Sequence, residues 1–393
     1  VLFYWGEQIT PTGERFDIQL KGAGRTNYSR NGDGLATFYS MLREFIMSEA
    51  MHYLGIPTTR SLAVVKNGLS VYRESEHEGA VLTRVAASHI RCGTFEYVRQ
   101  FGSPHELEKL TNYVIQRHFP EILNQKNQAL ELLRVVMLKQ LDLVVEWMRV
   151  GFIHGVMNTD NMSIAGETID YGPCAFMNNY NPKTVYSSID RSGRYAFGQQ
   201  PNIAWWNVSV LAGTLLPLIH SNEQTAVHEA NELLQTYKRA YEKKWFNMIC
   251  NKIGILQPKE SDRTLVENLM TLLNRYQPDY TSFFIQLEQF EPSKDKLFLS
   301  SEFIEWYKPW KERIRTGQTI EDALGLMQAN NPSVIPRNHL VEEALNSAVV
   351  GNTDGFNALL EQLKQPYKRD KVLLANQEVP DGFDQSYQTF CGT

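Results

Sequence analysis

The hydrophobic period changes once along this chain, and that change bounds the fold more tightly than any other feature. In Phe16-Asp-Ile-Gln-Leu-Lys21 apolar and polar residues alternate as in a half-buried strand. Phe16, Ile18 and Leu20 share one face, and Asp17, Gln19 and Lys21 share the other. Short β-like runs follow at 61–65, 69–72 and 80–85, with one helix before them, Leu35–Leu54, that stops at Gly55 and Pro57. From about Pro104 the spacing is helical. A long helix is predicted over 124–150, ending at Gly151, with others near 203–216, 222–253, 261–276, 280–290, 301–314, 319–329 and 337–364. The result is an α+β chain, a small β-rich unit followed by a large helical one, without internal repeats. The opening Val1-Leu-Phe-Tyr-Trp5 reads as the middle of a buried strand, so the first unit is expected to be N-terminally incomplete. The stretch 366–393 has weak periodicity and is expected to be an irregular surface tail.

Composition excludes several classes. With 42% hydrophobic and 21% charged residues the chain is neither disordered nor fibrous. Lys+Arg 39 against Asp+Glu 44 gives no basic surface, so no nucleic-acid partner is expected. The longest apolar run, Val208–Ile219, is interrupted by Pro217 and falls short of the roughly 20 residues a bilayer requires, so no membrane partner is expected either. Cys92, Cys174, Cys250 and Cys391 form no CxxC pair. Neither a zinc site nor a disulfide framework is read, which fits a reducing compartment.

Four features bear on chemistry. Lys21 ends a strand and Glu44 lies mid-helix, a pair that serves elsewhere to bind phosphate and hold the lysine; its ordinary reading is a surface lysine and a solvated glutamate. Lys21 to Gly34 contains Gly22, Gly24, Gly32 and Gly34 with cationic Lys21, Arg25 and Arg30, either an anion-binding loop or a pair of tight turns. It has neither Walker nor Rossmann spacing. Arg84 and Arg91 offer two guanidinium forks for phosphate, or two solvated arginines near a strand end. His154-Gly-Val-Met-Asn-Thr-Asp160-Asn161, followed by Ile169-Asp170-Tyr171-Gly172, suggests a loop, a short hairpin and a second loop. Asn161 and Asp170 then offer two oxygen ligands for nucleotide-bound Mg²⁺; the bland alternative is an Asx-rich turn. His154 reads as a loop-anchoring residue, and Trp205-Trp206 as core or packing surface.

The Asn161 and Asp170-Tyr-Gly172 arrangement resembles the catalytic-loop asparagine and metal aspartate of protein kinases. The position of the kinase catalytic aspartate holds Val156, which accepts no proton, and Asp160 is the carboxylate left in that loop.

At these motifs the chain resembles the selenoprotein O family. Lys21-Gly-Ala-Gly24, Tyr28-Ser-Arg, Gly32-Asp-Gly34, Arg43-Glu-Phe, Leu54-Gly-Ile-Pro-Thr-Thr-Arg60, His154–Ser163, Ile169–Pro173, Asn331–Asn338 and the ending Cys391-Gly-Thr carry the likeness. The resemblance implies a protein-kinase-like two-lobed fold with an N-lobe over 1–100, a helical C-lobe over 101–365 and a tail over 366–393. It implies a monomeric protein adenylyltransferase that binds ATP turned round relative to kinases and moves AMP to Ser, Thr or Tyr hydroxyls of proteins. Lys21, Arg84 and Arg91 would contact the phosphates, Glu44 would pair Lys21, and Asp33 and Gly34 would belong to the nucleotide pocket. Asn161 and Asp170 would hold Mg²⁺ and Asp160 would accept the proton. UTP as donor and Mn²⁺ as ion stay open, as does a regulatory disulfide of Cys391, with Cys174 the weakly matched partner. The family's first glycine-rich nucleotide segment lies upstream of the strand at which this sequence starts. A bacterial member is expected in the cytoplasm and a eukaryotic one in the mitochondrion. The competing readings are a kinase-type phosphotransferase using Asp160 as a displaced base, and a non-catalytic nucleotide-binding scaffold.

Overall fold

The computed structural model describes residues 2–26, 32–290, 296–370 and 377–390. β1 (Leu2–Ile9) and β2 (Arg15–Lys21) form a hairpin; β2 then pairs with β4 (Glu76–Ala86), and β4 with β3 (Arg60–Tyr72). The sheet order is β1-β2-β4-β3, antiparallel throughout. The two β-like runs at 61–65 and 69–72 are thus one strand, whose register shifts between Lys66 and Ser70, where Gly68 has φ +72°. α1 (Phe38–Tyr53) packs on β3 and β4. It starts later than the apolar stripe suggests, because Thr37 caps it by accepting the Ser40 N–H at 3.1 Å.

β1 is a strand but not a buried one. It is an edge strand, with Phe3 and Tyr4 half exposed and Trp5 71% exposed. β2 departs further from expectation, since its buried face is the polar one. Asp17, Gln19 and Lys21 are each 5% exposed or less, while Phe16, Ile18 and Leu20 lie half-buried.

The rest is mainly helical. α2 (Cys92–Phe101), which the periodicity did not predict, and α3 (Pro104–His118) lead to α4 (Gln128–Val150), with the small β5 (Phe152–Ile153) and β6 (Ala175–Phe176) after it. α4 is capped by Asn127 and ended by Gly151 at φ +78°, the conformation that favours glycine. α5 (Gln200–Ile219) lies against α4 and α6 (Glu223–Lys252). With the turn before it, α5 is apolar over a longer span than Val208–Ile219, and by length and composition alone it could cross a membrane. Here Ala204, Val208, Leu211 and Leu215 are fully buried, and the amide of buried Asn207 donates to Met157 O at 2.9 Å. Helices at Arg263–Tyr276, Tyr280–Leu287, Ser301–Arg315 and Ile320–Asn330 follow. The helix expected over 337–364 is two, Asn338–Val349 and Asp354–Leu363, broken where Gly351 takes φ +97°.

The last described residues are docked: Thr389 is 3% exposed, exchanges backbone hydrogen bonds with Tyr186 and Ser188 (2.8 and 2.9 Å), and donates through Oγ1 to Pro173 O at 2.6 Å. Trp205 and Trp206 are exposed rather than core, and the Arg194 guanidinium lies 4.7 Å from a Trp206 ring centroid. Cys92, Cys174 and Cys250 are buried free thiols; Cys391 lies outside the described residues.

Candidate active site

The register of β2 with β4 sets the site. Gln19 stands opposite Arg84, and the inward faces of the two strands therefore present Lys21, Gln19, Asp17 and Arg84 together. Burying such a face is costly unless every charge is paired. α1 supplies the pairing through Glu44, 1% exposed, which takes the Lys21 ammonium at 2.5 Å and Arg84 Nε at 3.1 Å. Arg84 Nη2 also donates to Glu44, and Nη1 reaches Gln19 Oε1 at 3.3 Å.

Asp170 closes the cluster from the helical part, its Oδ1 2.5 Å from Lys21 Nζ. Its φ of +71° is unusual for a side-chain-bearing residue and aims the carboxylate at that lysine. Burial pushes the Asp170 carboxyl upward, but Lys21 and Arg84 outweigh it and hold it well below the usual range. For Glu44 the sequence of causes is the same: burial raises, Arg84 and Lys21 win, and the carboxylate stays ionised. Burial works against the Lys21 cation, while Asp170 and Glu44 overcome that and raise its pKa. Three conditions therefore hold at once: a fixed cation, two ionised carboxylates, and a side chain on Asp170 that remains 22% exposed.

The loop from His154 onward is built differently from the hairpin expected of it. Ser163 bridges to Arg91 and Thr168 to Thr58, so the two arms pair with neighbouring segments rather than with each other. His154 is buried and its Nε2 lies 3.0 Å from Ile169 O, which anchors the residue before Asp170. Arg43, beside Glu44 on α1, donates to Gly172 O and Cys174 O (3.3 and 2.8 Å) and to Glu342 and Tyr387 OH (both 3.0 Å). It thereby ties α1, the segment after Asp170 and the docked tail into one unit.

Asn161 donates to Val156 O at 2.9 Å, leaving its amide oxygen as the acceptor. Arg91 Nη1 donates to Asp160 O at 3.2 Å. The Asp160 carboxylate rests on the first turn of α2 against Gly93, where a Cβ would fall 2.5 Å from Oδ1. Asp33 and Gly34, in the loop that follows β2, are bonded to groups other than the Lys21 cluster. Asp33 accepts two bonds from Arg73 (2.8 and 3.1 Å) and one from Leu35 N–H, and Gly34, at φ +71°, closes the loop by accepting the Gly24 N–H at 3.1 Å. A Cβ at Gly34 would overlap the Gly24 carbonyl. Arg30 lies outside the described residues, and Arg25 is exposed.

The donor set suits a hard divalent cation. Asp170 offers the oxygen not engaged by Lys21 and Asn161 its amide oxygen, and both residues are only half-buried. Among the described residues no cluster of three or more His, Cys, Asp or Glu side chains could enclose a metal. An ion held by Asn161 and Asp170 would therefore complete its shell with water and phosphate, the habit of Mg²⁺.

Sequence reasoning assigned no role to Asp17, Gln19, Arg43 or Gly93. The first two left a signal as the polar half of the β2 alternation and Arg43 as part of the Arg43-Glu-Phe motif; Gly93 gains its role from Asp160, far away in sequence.

Comparison with known proteins places the chain in a family. A family model described as protein adenylyltransferase SelO matches residues 2–364. The protein nucleotidyltransferase YdiU of Brevibacillus brevis is 53% identical over 390 residues, covering 99% of this chain and 79% of that protein. The proteins of the same name from Clostridium perfringens and Shouchella clausii are each 50% identical, over 99% of this chain and 79% and 80% of theirs. The chain belongs to the protein adenylyltransferase SelO family.

Proposed function

We propose that this chain transfers AMP from ATP to Ser, Thr or Tyr hydroxyls of other proteins and releases pyrophosphate. The observation that carries the reading is the buried Lys21–Glu44–Asp170 cluster combined with Val156 at the place where phosphotransfer requires a carboxylate. The arrangement supports a protein-kinase-like fold of two lobes, 1–100 and 101–365, followed by a tail, 366–393, of which Tyr387 and Thr389 are docked. The three buried thiols support work in a reducing compartment, the cytoplasm of a bacterial cell.

In the proposed reaction the acceptor oxygen attacks the α-phosphorus, the bond from that phosphorus to the α,β-bridging oxygen breaks, and pyrophosphate leaves. Mg²⁺, with Mn²⁺ as the alternative, supplies charge neutralisation of the triphosphate when held by Asn161 and Asp170. Lys21 and Arg91 stabilise charge growing on the leaving group, and Arg84, bonded to Glu44, adds its field. Asp160 takes the hydroxyl proton. Asp33 and Gly34 form a rigid rim of the nucleotide pocket through Arg73 and Gly24.

Gly93→Ala tests the role of Asp160 with little disturbance of the fold, because the group it displaces is a side-chain end. The expected result is a fall in kcat of about 10–100-fold with KM for ATP and Tm nearly unchanged. An unaltered kcat removes Asp160 from the reaction. The acceptor class is tested by mass spectrometry of a bystander protein incubated with Mg-ATP and, separately, with Mg-UTP. AMP on hydroxyl residues is expected; adducts confined to lysine, histidine or cysteine contradict the reading, and faster transfer from UTP replaces ATP as donor.

A further inference from the structure

We infer that His89 is a further ligand of the polyphosphate, completing with Arg91 an anion subsite for the leaving pyrophosphate, with Arg84 behind it contributing only its charge. The inference rests on the adenylyl-transfer reading above and extends it by one residue. His89 lies in the short connection from β4 to α2, between the two arginines in sequence. Its side chain is 8% exposed, yet Nε2 has no protein partner among the described residues and Nδ1 has only a long 3.5 Å contact to Asp17 Oδ2. The Nε of Arg91 is likewise buried and unpartnered. Buried polar atoms are nearly always hydrogen-bonded, so donors left unused on neighbouring residues need an explanation.

The surroundings provide one. Burial is the largest influence on the His89 imidazole, followed by the Asp17 carboxylate, with the Arg84 and Arg91 guanidiniums acting against its positive charge. The charges of the two arginines disfavour a protonated imidazole here while no anion is bound. The imidazole gains when a polyanion arrives, because phosphate oxygens accept from Nε2–H and offset the arginines, while Asp17 supports a proton on Nδ1.

The scaffold also holds this connection in place beforehand. The His89 backbone N–H donates to Asp17 Oδ2 at 2.9 Å. Arg117, from α3, bonds Asp17 Oδ1 and Ala87 O, both at 2.7 Å, and Glu167 accepts the Ala87 N–H at 3.0 Å. Asp17 and Arg117 thus act as positioning residues, and His89 is the group they present.

The test measures binding of magnesium pyrophosphate and of AMP by calorimetry, alongside the KM for ATP, in the full chain and in His89→Ala and His89→Gln. Pyrophosphate affinity and KM for ATP are each expected to weaken about tenfold in H89A, with partial recovery in H89Q, whose amide still donates. AMP, which lacks the leaving phosphates, is expected to change by less than about twofold. Unchanged pyrophosphate binding, or equal weakening of AMP and pyrophosphate, overturns the inference. Should H89A fail to fold, H89Q is judged by the same two ligands. Loss of AMP transfer in the unaltered chain would refute the parent reading instead, and the binding comparison would stay readable.

Discussion

Asp170→Asn is expected to lower AMP transfer by on the order of 10³-fold while the protein stays folded. Asparagine keeps the shape of the side chain and is among the few residues that tolerate the φ of +71° found here, so backbone strain does not enter the result. What disappears is the negative charge. The proposed Mg²⁺ site drops from one carboxylate and one amide to two amides, a poor set for a hard cation. Lys21 keeps Glu44 at 2.5 Å, which limits the loss of stability to about 1–3 kcal/mol. The checks are single-turnover transfer and thermal unfolding. Activity within tenfold of the unaltered chain removes Asp170 from the metal site; collapse of the fold would show that the carboxylate is mainly structural.

Glu44→Gln is expected to do the reverse and act first on stability. Glu44 stands between two buried cations, with Lys21 and Arg84 at 5% and 1% side-chain exposure. Among the described residues, removing its charge leaves Arg84 with only the neutral Gln19 as a side-chain partner and Lys21 with Asp170 alone. Breaking a buried ion pair on one side costs about 3–5 kcal/mol, because the remaining charge cannot return to water. The prediction is a loss of that size by denaturant unfolding, with part of it regained in the E44Q/R84M double variant, where one uncompensated cation is gone. A loss below about 1 kcal/mol would mean that water reaches the cluster and screens its charges.

What could be read from the sequence divides along physical lines. The helices over 222–253 and 261–276 announce themselves by local spacing, and so does the end of α4 at Gly151. The family motifs are contiguous words, and the match over residues 2–364 bears out the resemblance they carried. Lys21 with Glu44 was legible as a pair, and the structure brings them together. Which face of β2 is buried was not legible. Alternation alone assigns the apolar face inward, and only Glu44, Arg84 and Asp170, up to 149 residues away, make the polar face the buried one. α2 was missed because its first turn, Cys92-Gly-Thr, carries little helix propensity; Arg91 and Asp160 fix its start through contacts 69 residues apart. The break at Gly351 was hidden by apolar spacing that continues in phase on both sides of the turn. His89 has no local signature at all, since its proposed role rests on Asp17, 72 residues away, and on the charges of Arg84 and Arg91.

The central claim is that the α-phosphorus, not the γ-phosphorus, is attacked. The most direct measurement compares label transfer from α-labelled and γ-labelled ATP to a bystander protein, with Asp170→Asn run in parallel. The account predicts label from the α position only, absent in the variant. Label from the γ position only would make the chain a kinase with Asp160 as its base, and nucleotide binding without transfer of either label would make it a scaffold; both contradict the account.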